Sequence, residues 1–256
     1  MKLKTTLKAF AAAALLSSAF SASAEYVDFT VNEGYATDSA ESLITANRVS
    51  GNFGETVTLD GNNFTVGALV NFTAFHNGLA EINESGLNNT YGLYALFTAE
   101  GTVNQSTGMF TTSSGQFNIY LDVGNDLEDL SGVSTGSITS PSDNGFLPSD
   151  NGVDILLGTA PTISQNFAFA FNGQGAFNFD FLNFSLTDEG SNYFVEPDPF
   201  SFELNVDGSF QGDQSSNVIE FTGTANGRFY EIPEPSTVAI MALGLIGVGA
   251  LRRQKA

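Results

Sequence analysis

The chain has 256 residues and a mass of 27.0 kDa, with 8 basic against 28 acidic side chains and a formal net charge of −20. Between residues 25 and 232 only Arg48 and Arg228 oppose 27 acids, a net of −25, which excludes contact with nucleic acid or anionic lipid through a polybasic face. Cys is absent, so disulfides, thiolate metal sites and thiol catalysis are excluded together.

At the N-terminus, Lys2, Lys4 and Lys8 flank and precede the apolar run from Ala9 to Leu16, and Ala22-Ser23-Ala24 stands before Glu25. A basic segment, a short apolar run and a small-residue site make residues 1–24 a secretory signal peptide. Cleavage is expected after Ala24, with Ala22 and Ala24 as the small residues and Glu25 as the new terminus.

From 25 to 230 the dominant period is two. Strands are predicted near 26–31, 55–59, 63–75, 91–99 and 108–113. Ala40, Leu43 and Ile44 lie at helical spacing and predict a short surface helix over about 36–48. Phe117, Ile119, Leu121 and Val123 share one strand face, opposite Gln116, Asn118, Tyr120 and Asp122. Further strands are predicted near 153–158 and 218–230, at Phe167/Phe169/Phe171, at Phe177/Phe179/Phe181 and at Phe200/Phe202/Leu204/Val206. Leu182, Phe184 and Leu186 continue the apolar series on the opposite parity, which points to a bulge or a crossing between sheets. Asp60-Gly61, Asn77-Gly78, Asn151-Gly152, Asn172-Gly173, Asp207-Gly208 and Asn226-Gly227 read as turns. Ten or so short strands with one apolar face predict an all-β domain over 25–230, a two-layer antiparallel β-sandwich of the jelly-roll kind. The 24 Phe residues fit its core. An aromatic platform for sugars is the alternative, and without Trp it has few of the usual stacking residues.

The segment between the strands near 120 and 155 holds the chemistry that needs weighing. Pro141-Ser142-Asp143-Asn144-Gly145 is echoed by Pro148-Ser149-Asp150-Asn151-Gly152. A solvated loop explains this composition. A calcium site is the sharper reading, with Asp122, Asp126, Asp129, Asp143, Asp150 and Asp154 as candidate ligands, although no EF-hand order is present. Gly132-Val133-Ser134-Thr135-Gly136 matches the pattern of a nucleophile elbow, but no helix-like stretch follows it and the only histidine, His76, lies upstream. His76 is expected to end a strand at a turn, and a lone histidine makes no multi-histidine metal site. A carboxylate pair, as in glycoside hydrolysis, is the catalysis left open, and 27 acids offer no way to choose one.

The C-terminal segment 231–256 begins Glu231-Ile232-Pro233-Glu234-Pro235, runs without charge from Val238 to Leu251, and closes with Arg252-Arg253-Gln254-Lys255. The prolines hold their stretch extended and a helix can start only after them. A transmembrane helix is predicted at about 237–251, short for a bilayer but flanked by arginines able to snorkel. Pro233-Glu234-Pro235 with the glycine-bearing apolar helix and Arg252-Arg253 resembles the PEP-CTERM sorting signal. That resemblance implies recognition by exosortase, a membrane-embedded protease of Gram-negative bacteria, transient residence in the inner membrane, and a role near exopolysaccharide, biofilm or floc. Tyr91–Phe97, Asp154–Leu157 and Gly190–Phe200 are similar to the flocculation-associated subgroup of PEP-CTERM proteins. They supply shared architecture and no catalytic residue.

The sequence therefore leads to an exported, non-catalytic protein of the cell surface or extracellular matrix that supports exopolysaccharide-associated cell aggregation. The alternatives are a calcium-assisted glycan-binding module and a glycan-cleaving enzyme with two acids. No cofactor is expected beyond the possible calcium.

Overall fold

The computed structural model describes residues 27–125, 154–171, 174–197, 203–212 and 217–230. The chain divides into two units, one of Tyr26–Tyr230 and one of Met1–Glu25 with Glu231–Ala256, and the described residues all lie in the first. In chain order the elements are β1 (Phe29–Asn32), α1 (Glu33–Ala36), β2 (Leu43–Ala46), β3 (Arg48–Asp60), β4 (Asn63–Asn77), β5 (Ala80–Glu81), β6 (Gly92–Asn104) and β7 (Met109–Asp122). Then follow β8 (Ile155–Ala160), β9 (Thr162–Phe171), β10 (Gln174–Leu182), β11 (Ser185–Leu186), α2 (Asp188–Tyr193), β12 (Phe194–Glu196), β13 (Glu203–Gly212) and β14 (Val218–Tyr230).

The long strands pair in the order β7-β6-β4-β3-β14-β13-β10-β9, each antiparallel to its neighbour. β9 then returns to β7 through Met109↔Phe169 and Phe110↔Ala168. The result is a closed, up-and-down barrel of eight strands. β8 and β9 form one run along β7, broken at Pro161, which has no N–H to give to a ladder.

This corrects the two-layer sandwich. Inward alternation is the same in both architectures; the difference lies in which strands become edges. Here the first and last long strands zip together from Val218↔Thr58 to Gly227↔Val49, so the sheet closes on itself and keeps no long edge. The strands are also longer than expected, 13 residues in β3 and 15 in β4, because the predicted pieces near 55–59 and 63–75 extend into continuous ladders.

Three local expectations change as well. The segment predicted as a helix over about 36–48 holds β2 and the start of β3, because Ile44 pairs with Val31 and Ala46 with Phe29 on β1. The parity switch after Leu182 is the end of a strand: Asn183 adopts φ +58° and breaks β10 from β11. Asp207-Gly208 and Asn226-Gly227 are not turns. They face one another in mid-ladder, with Asp207 opposite Asn226 and Val206 opposite Gly227. Gly61 and Gly78, at φ +61° and +63°, do sit in turns as predicted.

The inward rows are apolar. Phe53, Val57, Phe64, Phe97, Phe117, Phe181 and Phe221 are buried there. The outward rows carry exposed Asn52, Thr58, Thr65, Glu100, Gln116, Asn178, Glu220 and Thr224, together with apolar Leu69, Leu96, Met109, Leu156 and Val218 and, paired with Ala176 and Met109, Phe169.

One end of the barrel is capped. The small sheet β12-β1-β2 lays Phe29 against Phe75 and Phe229, with ring centroids 6.0 and 5.2 Å apart, and Phe194 against Phe229 at 5.8 Å. Edge-on ring packing of this kind adds to the area it buries.

The structure gives the transmembrane helix expected at about 237–251 no support. Among the described residues no helix is long and apolar enough to cross a membrane, and the segment itself lies outside them. The signal-peptide residues Ala22, Ala24 and Glu25 and the sorting residues Pro233, Glu234, Pro235, Arg252 and Arg253 also lie outside.

Candidate functional site

Glu55 breaks the apolar interior. It stands on β3 between Phe53 and Val57 in the inward row, and its cross-strand neighbours are Ala68 on β4 and Phe221 on β14. The surface it retains lines two voids of about 20 Å³ each, one toward Val57 and Phe64, the other toward Phe53 and Val206. Each is large enough for about one water. Glu55, Phe97, Phe177 and Phe179 border both. Burial raises the Glu55 carboxyl from 4.5 to about 7, with no neighbouring charge or donor pulling it back. An acid so placed takes up and gives away a proton near neutral pH.

The strands around Glu55 owe their close approach to glycine. A Cβ on Gly208 would lie 2.2 Å from the Thr224 carbonyl and 2.7 Å from the Phe177 ring; one on Gly223 would lie 2.9 Å from the Phe53 ring. Small inward residues make the space that the rings fill.

A second carboxylate, Glu33 on α1, is buried beside the cap and has three donors on one oxygen. Its Oε1 accepts from Ser85 Oγ at 2.6 Å, from the Gly86 amide at 2.9 Å and from the Tyr91 hydroxyl at 3.0 Å. Tyr91 and Tyr193 share a hydrogen bond of 2.9 Å. Burial pushes both phenols well above the usual tyrosine range, and their mutual contact adds to the rise at Tyr91. The cluster is a clamp between α1, the 82–91 loop and α2.

Of the calcium candidates, Asp122 and Asp154 are described and Asp126, Asp129, Asp143 and Asp150 are not. Asp122 is buried at the end of β7, and Asp154 accepts from the Tyr94 hydroxyl at 2.9 Å, where Tyr94 stacks on Tyr120. Among the described residues no group of three or more acidic or histidine side chains is placed to hold a metal. His76 ends β4 next to the turn at Gly78, as its sequence context suggested. Its Nε2 meets Ser50 Oγ at 2.7 Å, and burial, with Arg48 across the ladder, lowers its pKa while Glu81 opposes. The Gly132–Gly136 pattern lies outside the described residues.

Three stretches singled out in the sequence meet in space. Tyr91 reaches Tyr193, Tyr94 reaches Asp154, and Gly190 packs so tightly on Leu157 that a Cβ would lie 1.8 Å from its carbonyl oxygen. They form a structural node, with α2 held by its N-cap Thr187, whose hydroxyl donates to the Leu156 carbonyl at 2.6 Å. Sequence reasoning missed both Glu33 and Glu55. For Glu55 a signal existed, an acid in the alternating row Phe53-x-Glu55-x-Val57. For Glu33 there was none, since its donors come from 52 to 58 residues away.

Residues 231–254 match the PEP-CTERM protein-sorting motif. The chain carries a PEP-CTERM sorting signal. The motif supports recognition by an exosortase and is consistent with secretion or surface localisation in a Gram-negative bacterium, and no flocculation-associated subgroup is distinguished. No curated protein matches the chain. Among solved structures it is similar to Ail, the attachment invasion locus protein of Yersinia pestis, at 8% identity over 72% of this chain and 99% of that one, with a TM-score of 0.17. A likeness at that level fixes neither fold nor function.

Proposed function

We propose that this PEP-CTERM protein is a non-catalytic component of the extracellular matrix that supports exopolysaccharide-associated cell aggregation. The observation that carries the reading is the sorting motif at 231–254, joined to an acidic β-barrel domain. Supporting it, the polar side chains of the barrel wall face outward, and the glutamates described inside serve a clamp and a lumen. Hydroxyls, amides and carboxylates on a rigid wall suit many weak contacts with hydrated polymer better than one deep site.

A deletion strain tests this. Loss of the gene should reduce flocculation or biofilm, and the wild-type chain should restore it. A chain with Pro233, Glu234 and Pro235 all changed to alanine should accumulate in cells at its unprocessed mass and fail to restore it. Unchanged aggregation in the deletion strain, or sustained reducing-end release from the producer's polysaccharide by the purified protein, would overturn the proposal.

A further inference from the structure

We infer that the outer wall at Arg48 binds the carboxylate of an acidic sugar, held by the Arg48 guanidinium with Arg228 and the Ser50–His76 pair beside it. This deepens the matrix proposal and rests on it for the sugar, though not for the anion.

The two arginines of residues 25–232 and the single histidine of the chain are far apart in sequence and meet on one outward face. Arg48 on β3 pairs with His76 on β4. On the other side of β3, Gly227 of β14 pairs with Val49, so one step along the same register Arg228 stands opposite Arg48. Residues so placed lie about 5 Å apart, and like charges there repel. A domain with 27 acids thus sets its two arginines side by side, and Asp207 answers Arg228. Among the described residues no hydrogen bond or ion pair reaches the Arg48 guanidinium, and its Nε is buried without an acceptor. His76 Nδ1 is a second buried nitrogen with no partner. When the Ser50 hydroxyl donates to Nε2 across 2.7 Å, the ring proton sits on Nδ1 and lacks an acceptor as well. The face holds an unanswered positive charge and donors short of acceptors, which is what an anion supplies.

The chemistry of the face matches a carboxylate carried on a sugar. The planar guanidinium fork fits a carboxylate through two parallel N–H···O bonds. Beside it the outward rows carry small polar groups for ring hydroxyls: exposed Asn52, two residues along β3, and exposed Thr224, its partner on β14. Opposing charge is sparse. Glu81 on β5, across from His76, is exposed and makes no ion pair with Arg48, and Glu220 lies about 26 Å along β14 from Arg228. A polymer charged at every residue would meet the acids elsewhere on the wall, so isolated carboxylates on a largely neutral chain fit best.

The probe is the methyl glycoside of glucuronic acid, titrated as its sodium salt into the purified, isotope-labelled protein and followed through amide NMR shifts. Methyl glucoside, the neutral ring, and sodium acetate, the carboxylate without a ring, are compared at matched ionic strength. The uronoside should give saturable shifts at Arg48, Ser50, His76 and Arg228, with a Kd on the order of 1 mM. Methyl glucoside should give none, and acetate should bind several-fold more weakly. Arg48→Gln should weaken the uronoside about tenfold. Its Tm should equal or exceed that of the wild type, because the change relieves the repulsion with Arg228. Acetate binding as tight as the uronoside would mean an adventitious ion only. Undiminished binding in Arg48→Gln, or a Tm several degrees below wild type, would make Arg48 a solvated or structural residue. Each of these results, or no saturable shift, overturns the inference. Aggregation of the deletion strain judges the matrix role separately: if it is unchanged while the uronoside binds at Arg48, that role falls and the site stands. If the strain stops aggregating and the uronoside does not bind, the site alone falls.

Discussion

Glu33 and Glu55 are two glutamates enclosed by the same domain, and their surroundings give them opposite parts. Three donors converge on Glu33, so the cap is locked to the 82–91 loop and α2. Removing it should leave the Ser85, Gly86 and Tyr91 donors buried without an acceptor. Glu33→Ala should therefore lower the unfolding free energy by about 3 kcal/mol, and Tyr193→Phe, which deletes one hydroxyl at the edge of the cluster, by about 1 kcal/mol. Urea unfolding monitored by tyrosine fluorescence reads both; equal losses would mean that the cluster is not centred on Glu33. At Glu55 no donor offsets burial, and the carboxyl stays protonated to about pH 7.

At the scale of elements, the ladders depend on where glycine faces. Gly208 lies inward on β13, against the Thr224 carbonyl of β14 and the Phe177 ring of β10, whereas Gly61 sits in an open turn with nothing within 4 Å of its missing Cβ. Alanine at 208 must push strands apart and should cost about 2 kcal/mol or prevent folding. Alanine at 61 meets only the left-handed backbone, for about 1 kcal/mol. Thermal unfolding of the two variants separates these mechanisms, and a Gly61 variant less stable than the Gly208 variant would contradict the packing. The same glycines explain what the sequence concealed. Period-two rows located nearly every long strand, since apolar and polar residues alternate along a strand whatever the sheet does next. Asp207-Gly208 and Asn226-Gly227 carry the residues of a tight turn, yet Gly208 admits a ring and a neighbouring backbone, and Gly227 faces the Val49 side chain. Ile44 lay at helical spacing from Ala40, but its pairing with Val31 is a non-local contact that no window of sequence reports.

For the whole molecule, closure is the property that local pattern could not supply. A sandwich and a barrel share the same alternation, and only the pairing of β3 with β14 and of β7 with β9 decides between them. Closure also gives Glu55 its environment, because an acid facing the interior of a closed barrel is ringed by apolar side chains. The outward polar rows, with exposed Glu100 and Glu220 among them, belong to a wall that meets solvent. The sorting motif was legible because a short linear signal is read without folding, while the lumen was not, because it is assembled from eight strands.

The most direct test of this account is the pH dependence of stability in the wild type and in Glu55→Gln. The folded pKa of about 7 lies above the unfolded value of 4.5, so the stability tied to the neutral acid is complete below the unfolded value and is lost as pH rises through about 7. Urea unfolding of both proteins at about pH 4.5 and pH 8 should show the variant gaining on the wild type by something on the order of 3 kcal/mol at the higher pH. The other carboxylates titrate alike in both proteins and cancel in the comparison. A difference that stays constant across that range would place Glu55 in water and contradict a closed barrel with an acid at its centre.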